Sequence, residues 1–496
     1  MEDPNQVSEC EFKEVPDCVE DITPQWCEKA LRKSCIIGPL TTVASVNVKR
    51  LKNEETGELD GGGMTPAQMI RITLSYDGEI DGYNPPSTII AKCLLTGKAL
   101  FNCPFHFRML IYFGVGKHTE ENFWRNDIQF YRKAVPLIKE TYSYPKVYYS
   151  GIIEGGNRGF FNEVIRPMPH KIRTITLMQD MNGWKSQMVG INHLTFDEAV
   201  AILQNVSILH GSFWGEKNKE IKECFSIPLN EHETRGAAHS KLISMKRNKF
   251  LSSSQKIRKS REKMFESWSC HKWHSVTKDI PLPSWFEQNS AAGKDDGDEI
   301  FILNHPDVLE MLEVYAERFP KFSTEFVKPF FKLPSQTLLH GDFHNGNHMY
   351  LEDANGVQVV AFDFQMVGPG LAISDILRIL MFSKRHITLN EDLELLKRYH
   401  EALMLSGNVD ISYEELKHQF ILGCLEFLTK KLMDFTESNA EKMTKLYSSM
   451  FGEEKSKDLL RIMDSGILCN PYLLVTSMYM HNKENFLNGD QFFAGI

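Results

Sequence analysis

The stretch from Leu338 to Gln365, LLHGDFHNGNHMYLEDANGVQVVAFDFQ, gathers histidines, aspartates and asparagines able to bind metal, take up a proton or handle phosphate. His340, His344 and His348 recur every fourth residue, a spacing that on a helix would align three imidazoles as a zinc-type site. Gly341 and Gly346 interrupt such a helix, and Asp342, Asn345 and Asn347 favour turns, so the histidines read as loop residues. The carboxylates make a better site. Asn355-Gly356 is a strong hairpin signal between two strand-like runs, HMYLE and VQVVAFD. A two-residue turn there sets Asn347 opposite Phe364 and His348 opposite Asp363. Asn347 and Asp363 become diagonal neighbours at the open end of the hairpin, where strands lie only about 5 Å apart. A carboxylate and an amide oxygen, completed by water and phosphate oxygens, suit magnesium. Asp342 lies in a loop just before the hairpin, free to accept a proton or orient a hydroxyl. The order Asp342, four residues, Asn347, then a hairpin and Asp363-Phe364 is that of a phosphoryl-transfer loop with its metal aspartate.

Such a loop needs a scaffold, and the chain supplies two kinds. A helix is expected from about Ile22 to Ser34, with Trp26, Ala30 and Leu31 on one side. Strand-like runs follow at Thr41–Leu51, Met69–Tyr76 and Ser87–Leu95, with PKVYYSGII and RTITLMQDM further on. Between them, Glu120–Val135 reads as a helix that stops at Pro136. Beyond Asp180 the pattern changes. Thr195 and Glu198 form a capping box, and Ala199, Ile202, Leu203, Val206, Leu209 and Phe213 recur at helical spacing. From about Leu389 onward most of the chain reads as helix. The expected division is a strand-rich lobe over residues 1–176, a hinge at 177–182 and a helix-rich lobe over 183–496. A polar, charge-rich insertion at about 216–300 reads as a solvated segment.

A chain of 496 residues with 42% hydrophobic and 11% aromatic content is globular and long enough for two or three domains. Its net charge of -9 argues against nucleic acid as the main partner. No apolar run reaches the 18 or so residues of a membrane span, and MEDPNQVSECEFKEV has no secretory core, so a cytoplasmic protein is expected. The 10 cysteines show no CxxC pair and read as reduced thiols. No internal repeat is visible.

His340-Gly341-Asp342 in place of His-Arg-Asp resembles the aminoglycoside and choline kinase superfamily of small-molecule phosphotransferases. Asp363-Phe364-Gln365, the later SDILRIL beginning at Ser374, and Leu209-His210-Gly211-Ser212-Phe213-Trp214 resemble more narrowly its ecdysteroid-kinase-like, or choline-kinase-like, branch. The resemblance runs from about Trp26 onward. It implies an α+β, two-lobed protein-kinase-like fold, ATP as co-substrate, magnesium, and transfer of the γ-phosphate to a hydroxyl of a small molecule such as an ecdysteroid-, choline- or sugar-like alcohol. Asp342 would be the catalytic carboxylate, and Asn347 and Asp363 the metal ligands. Lys92, one charge inside the apolar strand STIIAKCLL, would meet the ATP phosphates. The backbone of Gly61, Gly62 and Gly63 would approach the same phosphates. Gln179, Asp180 and Met181 would form the adenine-contacting hinge, and Phe343 and His344 would lie on the acceptor side. Two positions depart from the family pattern. The helix glutamate that partners the lysine is replaced by Asp127, four residues before Tyr131 and beside the apolar stripe Trp124, Ile128, Tyr131 and Val135. His344 stands where the branch often has tryptophan. A protein kinase is disfavoured because no A-P-E segment follows Asp363. A catalytically inactive binding module is the alternative that Asp127 leaves open. The partners implied are ATP and a small alcohol, with no nucleic acid and no membrane; the oligomeric state is not readable.

Overall fold

Pro24 and Thr23 start the first helix. Thr23 accepts a hydrogen bond from the Trp26 amide at 3.2 Å, and proline at the first helical position has no amide to leave unpaired. This helix, α1 (Pro24–Lys33), buries Trp26, Cys27, Ala30 and Leu31. Five strands follow: β1 (Thr42–Arg50), β2 (Gln68–Asp77), β3 (Thr88–Leu94), β4 (Val147–Glu154) and β5 (Ile172–Gln179). They form one antiparallel sheet in the order β1-β2-β3-β5-β4. Alternation along β3 decides what each face carries. Ile89, Ala91 and Cys93 join Ile70, Ile72, Ile175, Leu177 and the buried face of α1 in one apolar cluster. Leu94 packs instead with Trp124. Lys92, two residues from Leu94, therefore belongs to the face that Leu94 and Trp124 share. Burial pushes the Cys93 thiol up to about 12, which keeps it protonated and inert.

The computed structural model describes residues 14–51, 68–78, 84–94, 124–154, 172–187, 194–225, 306–327, 336–354, 356–383, 389–407, 409–434 and 470–494. Contacts divide the chain into two compact units, Met1–Pro136 with Tyr144–Gly183 and Leu137–Ser143 with Trp184–Ile496. Residues 124–129 are helical and continue as a π turn at Phe130–Ala134 and a 3-10 turn at Val135–Leu137. The helical path thus runs through Pro136, because the fixed φ of proline fits a short 3-10 turn even though it cannot continue an α-helix.

In the second unit, β6 (Lys185–Ser186) precedes α2 (Phe196–Ser212). The capping box closes as expected: Glu198 donates its amide to the Thr195 hydroxyl at 3.2 Å, and the Thr195 amide donates to the Glu198 carboxylate at 2.8 Å. All six residues of the apolar stripe are buried. Then come α3 (Pro306–Phe322), β7 (Thr337–Leu339), β8 (His348–Asp353), β9 (Gly356–Ala361), β10 (Gly368–Gly370), α4 (Ile373–Ser383), α5 (Leu389–Ser406), α6 (Tyr413–Asp434) and α7 (Asn470–His481). Leu137–Ser143 is bound into this unit by Ser143, whose amide donates to Asn205 Oδ1 at 2.7 Å and whose carbonyl accepts from Asn205 Nδ2 at 3.0 Å. The same carbonyl accepts from the Ala361 amide at 3.1 Å.

The β8–β9 ladder corrects the expected register. His348 pairs with Ala361 and Asp353 with Gly356, so His348 faces a residue two positions earlier than Asp363. Gly356 spends its positive φ of +110 inside the ladder, opposite Asp353, and the chain reverses before it. A shift of two leaves every side chain on its expected face. Asn355, Gly61–Gly63, Glu120, Glu121 and the insertion beyond residue 225 lie outside the described residues. The fold is α+β, with strands dominating one unit and helices the other. Among the described residues no helix is long and apolar enough to cross a membrane.

Candidate active site

The loop His340-Gly341-Asp342 leaves β7, which pairs with β10 through Leu339 and Gly368. Gly341 has φ +84, and a Cβ there would stand 2.0 Å from the Met366 carbonyl oxygen, so only glycine fits. Helix α4 fixes the loop. Asp375 accepts from the His340 amide at 2.7 Å and from the Gly341 amide at 3.0 Å. The same carboxylate faces His210 Nε2 at 3.3 Å, while His210 Nδ1 meets the Tyr399 hydroxyl at 2.7 Å. Thr337 donates its hydroxyl to the His210 carbonyl at 2.6 Å. His210, Thr337, His340, Asp375 and Tyr399 are buried, and hydrogen bonds among such groups rigidify a polar network in a low-dielectric interior. Burial lowers the pKa of His340 and keeps it neutral, and its Nε2 donates to the Phe362 carbonyl at 2.9 Å. The loop is thereby tied to the residue before Asp363.

Asp342 is the one carboxylate of the loop from His340 to Asn347. Arg378 Nη2 donates to its Oδ1 at 2.7 Å. Asn347 Nδ2 donates to its backbone carbonyl at 2.8 Å and to Oδ2 at 3.2 Å, and His344 Nε2 lies 3.4 Å from Oδ2. Burial raises its pKa, but the His344 hydrogen bond and the Arg378 charge outweigh it and hold the carboxyl well below its usual range. Because the Asn347 amide nitrogen is directed at Asp342, its amide oxygen is the atom left for a cation. Asn347 also accepts from the Phe362 amide at 3.1 Å through its backbone carbonyl, so Asp363 follows immediately at the same end of the hairpin. Asp363 lies past the ladder, with φ 65 and ψ 65, a left-handed conformation that aspartate tolerates better than most residues. One carboxylate and one amide oxygen, both hard donors, fit magnesium completed by phosphate oxygens.

The three histidines do not converge. His348 Nδ1 donates to the His344 carbonyl at 2.8 Å, and burial together with the His340 ring pushes its pKa down to about 3. Among the described residues no group of three or more His, Cys, Asp or Glu side chains is arranged to hold a metal. Phe343 and His344 part company. Phe343 is 1% exposed and packs edge-on against His348 at 4.7 Å between ring centres, whereas His344 stays beside the Asp342 carboxylate.

In the first unit Lys92 Nζ lies 3.3 Å from Asp127 Oδ2, with the two side chains 10% and 5% exposed. The ammonium also stands 5.9 Å from the centre of the Trp124 ring. The shorter aspartate side chain therefore reaches the lysine. At the end of β5, Gln179 exchanges hydrogen bonds with Lys146, and Met181 is buried. Asp180 is clamped by Arg71, with Nε–Oδ2 at 2.8 Å and Nη2–Oδ1 at 3.2 Å. Arg71, on Asp180, and Arg378, on Asp342, are partners of candidate site residues that sequence reasoning passed over. The signal for Arg378 was present in SDILRIL, as one charge in an apolar run three residues after Asp375.

Several solved structures are similar in shape. Plasmodium vivax ethanolamine kinase shares 11% identity over 92% of this chain and 91% of its own, with a TM-score of 0.35. An aminoglycoside phosphotransferase from Alicyclobacillus acidocaldarius shares 9% over 93% and 95%, at 0.36. Choline kinase LicA from Streptococcus pneumoniae shares 11% over 82% and 93%, at 0.30. No curated protein matches this chain. The profile of the ecdysteroid kinase-like family, however, matches residues 115–409, more than half of the sequence, and the chain belongs to that family, whose kinase-like α+β fold it has.

Proposed function

We propose that this protein transfers the γ-phosphate of ATP to a hydroxyl of a small molecule. The observation that carries the reading is the union of Asp342, Asn347 and Asp363 at one end of the β8–β9 hairpin: Asn347 holds Asp342 with its amide nitrogen and turns its oxygen elsewhere. Asp342 accepts a hydrogen bond from the acceptor hydroxyl and directs its oxygen at the γ-phosphorus. Asn347 and Asp363 would hold magnesium, which when bound neutralises phosphate charge. Lys92 places an ammonium on the phosphates, and Asp127 keeps that ammonium aimed. Gln179, Asp180 and Met181 would meet the adenine with backbone groups, and Arg71 keeps that turn rigid through Asp180. His344 borders the acceptor. Nothing here is a covalent intermediate; positioning and charge neutralisation account for the rate.

The test is an acceptor panel with γ-labelled ATP and magnesium, comparing steroid, amino-alcohol and sugar hydroxyls. Label should appear in a small-molecule product and depend on magnesium. A chain that binds ATP but labels no alcohol is a binding module, and the reading fails.

A further inference from the structure

We infer that Arg378 is a positioning residue for Asp342, fixing which carboxylate oxygen is offered to the acceptor hydroxyl. The inference rests on the phosphotransferase reading of Asp342. Helix α4 reaches the loop with the side chains of Asp375 and Arg378. Asp375 takes the amides of His340 and Gly341. Arg378 gives Nη1 to the Gly341 carbonyl at 3.0 Å and Nη2 to Asp342 Oδ1 at 2.7 Å. Residues three apart lie on one helical face, so one rigid element holds both the donors and the acceptors of this short loop. The guanidinium is a planar fork. It cannot pivot on the Gly341 carbonyl without leaving Oδ1, and it cannot lose its charge. Oδ1 is thereby committed. Oδ2, near Asn347 and His344, has lone-pair capacity for a hydroxyl proton as well.

In the reaction the acceptor oxygen bonds to the γ-phosphorus. The bond from that phosphorus to the bridging oxygen breaks, and its electron pair stays on ADP. The hydroxyl proton passes to Oδ2. An Asp342 free to rotate would offer either oxygen in many directions, and the near-attack geometry would be populated less often.

The experiment compares wild type with Arg378→Ala and Arg378→Lys on the best acceptor of the panel. Arg378→Ala should lower kcat about 100-fold while the KM for ATP changes less than about threefold. Added guanidinium ion should return about tenfold of the lost rate to Arg378→Ala and nothing to wild type, as expected for a missing planar fork. Arg378→Lys keeps the charge but makes one bond in place of two, and should fall between the two proteins. Amide hydrogen exchange over residues 340–347, read without substrate, should speed up in Arg378→Ala and less so in Arg378→Lys. A kcat within about threefold of wild type, a loss confined to the KM for ATP, or no response to guanidinium would overturn the inference. If wild type labels no alcohol, the phosphotransferase reading is lost, and unchanged loop exchange would separately refute the grip of Arg378 on the loop.

Discussion

The strand-rich unit and the helix-rich unit each hold an ion pair among the residues proposed for phosphate transfer, and the proposed parts of the partners are opposite. Lys92 and Asp127 face each other at 3.3 Å between a strand and a helix, both nearly buried. Arg378 grips Asp342 at 2.7 Å and the Gly341 carbonyl at 3.0 Å. In the first pair the carboxylate serves the cation, and lysine is a compact charge on a flexible stem that can be shared with phosphate. In the second the cation serves the carboxylate, and arginine contributes fixed geometry. The comparison teaches that the lysine pair should respond to nucleotide and the arginine pair should not.

The largest effect expected from breaking this contrast is at Asp342. Asp342→Asn should cut transfer by roughly 1,000-fold and leave the Kd for ATP within a few-fold, measured by label transfer and nucleotide titration. Near-normal turnover would remove Asp342 from the acceptor side. Next is the end of the hairpin proposed to hold magnesium. Asp363→Ala should raise the magnesium concentration for half-maximal rate by about tenfold or more, and Asn347→Ala by less, since only the aspartate carries a full charge. Equal effects in a magnesium titration would deny the two residues a shared ion.

Asp127→Ala sharpens the contrast from the other side. It strands Lys92 in a buried setting, so about 3 kcal/mol of stability should go in denaturant unfolding, with the KM for ATP rising about tenfold. Asp127→Glu should restore both. A loss in kcat alone would mean that the two pairs do not divide the work as described. The smallest change is Thr195→Ala, which removes the N-cap of α2 and touches neither pair. It should cost about 1 kcal/mol in thermal unfolding and leave kcat and both KM values alone.

The strands were legible because alternation is a local property: β1, β2 and β3 fall within a residue or so of the runs at Thr41–Leu51, Met69–Tyr76 and Ser87–Leu95. The capping box of α2 was legible for the same reason. The hairpin was legible as a hairpin but not in its register. Asn355-Gly356 marks where a chain reverses, while the ladder decides which residues stay paired, and Gly356 is paired. The approach of Asp127 to Lys92 needed a burial argument, since a carboxylate beside an apolar stripe must find a cation. The same logic marks Arg378 as one charge in an apolar run but does not name its partner. Its partner lies 36 residues away, and an isolated arginine in a helix gives no hint of which loop it reaches. The contacts of His210 with Asp375 and Tyr399 were hidden likewise, being made by three helices distant in sequence.

The segment Leu137–Ser143 bears on how the protein can be taken apart. It is encoded among residues of the first unit and belongs to the second, where Ser143 closes bonds with Asn205 and Ala361. A gene split after Gly183 would leave this strap on the wrong fragment. The downstream piece would leave the Asn205 amide without the Ser143 N–H and carbonyl, and the Ala361 N–H without that same carbonyl. Recombinant halves should therefore fail as independent proteins, and a synthetic peptide spanning the strap, supplied in trans, should restore protease resistance to the downstream half. On the ribosome the order is fixed: the strap is synthesised long before Asn205 and Ala361 exist, and it must wait for them.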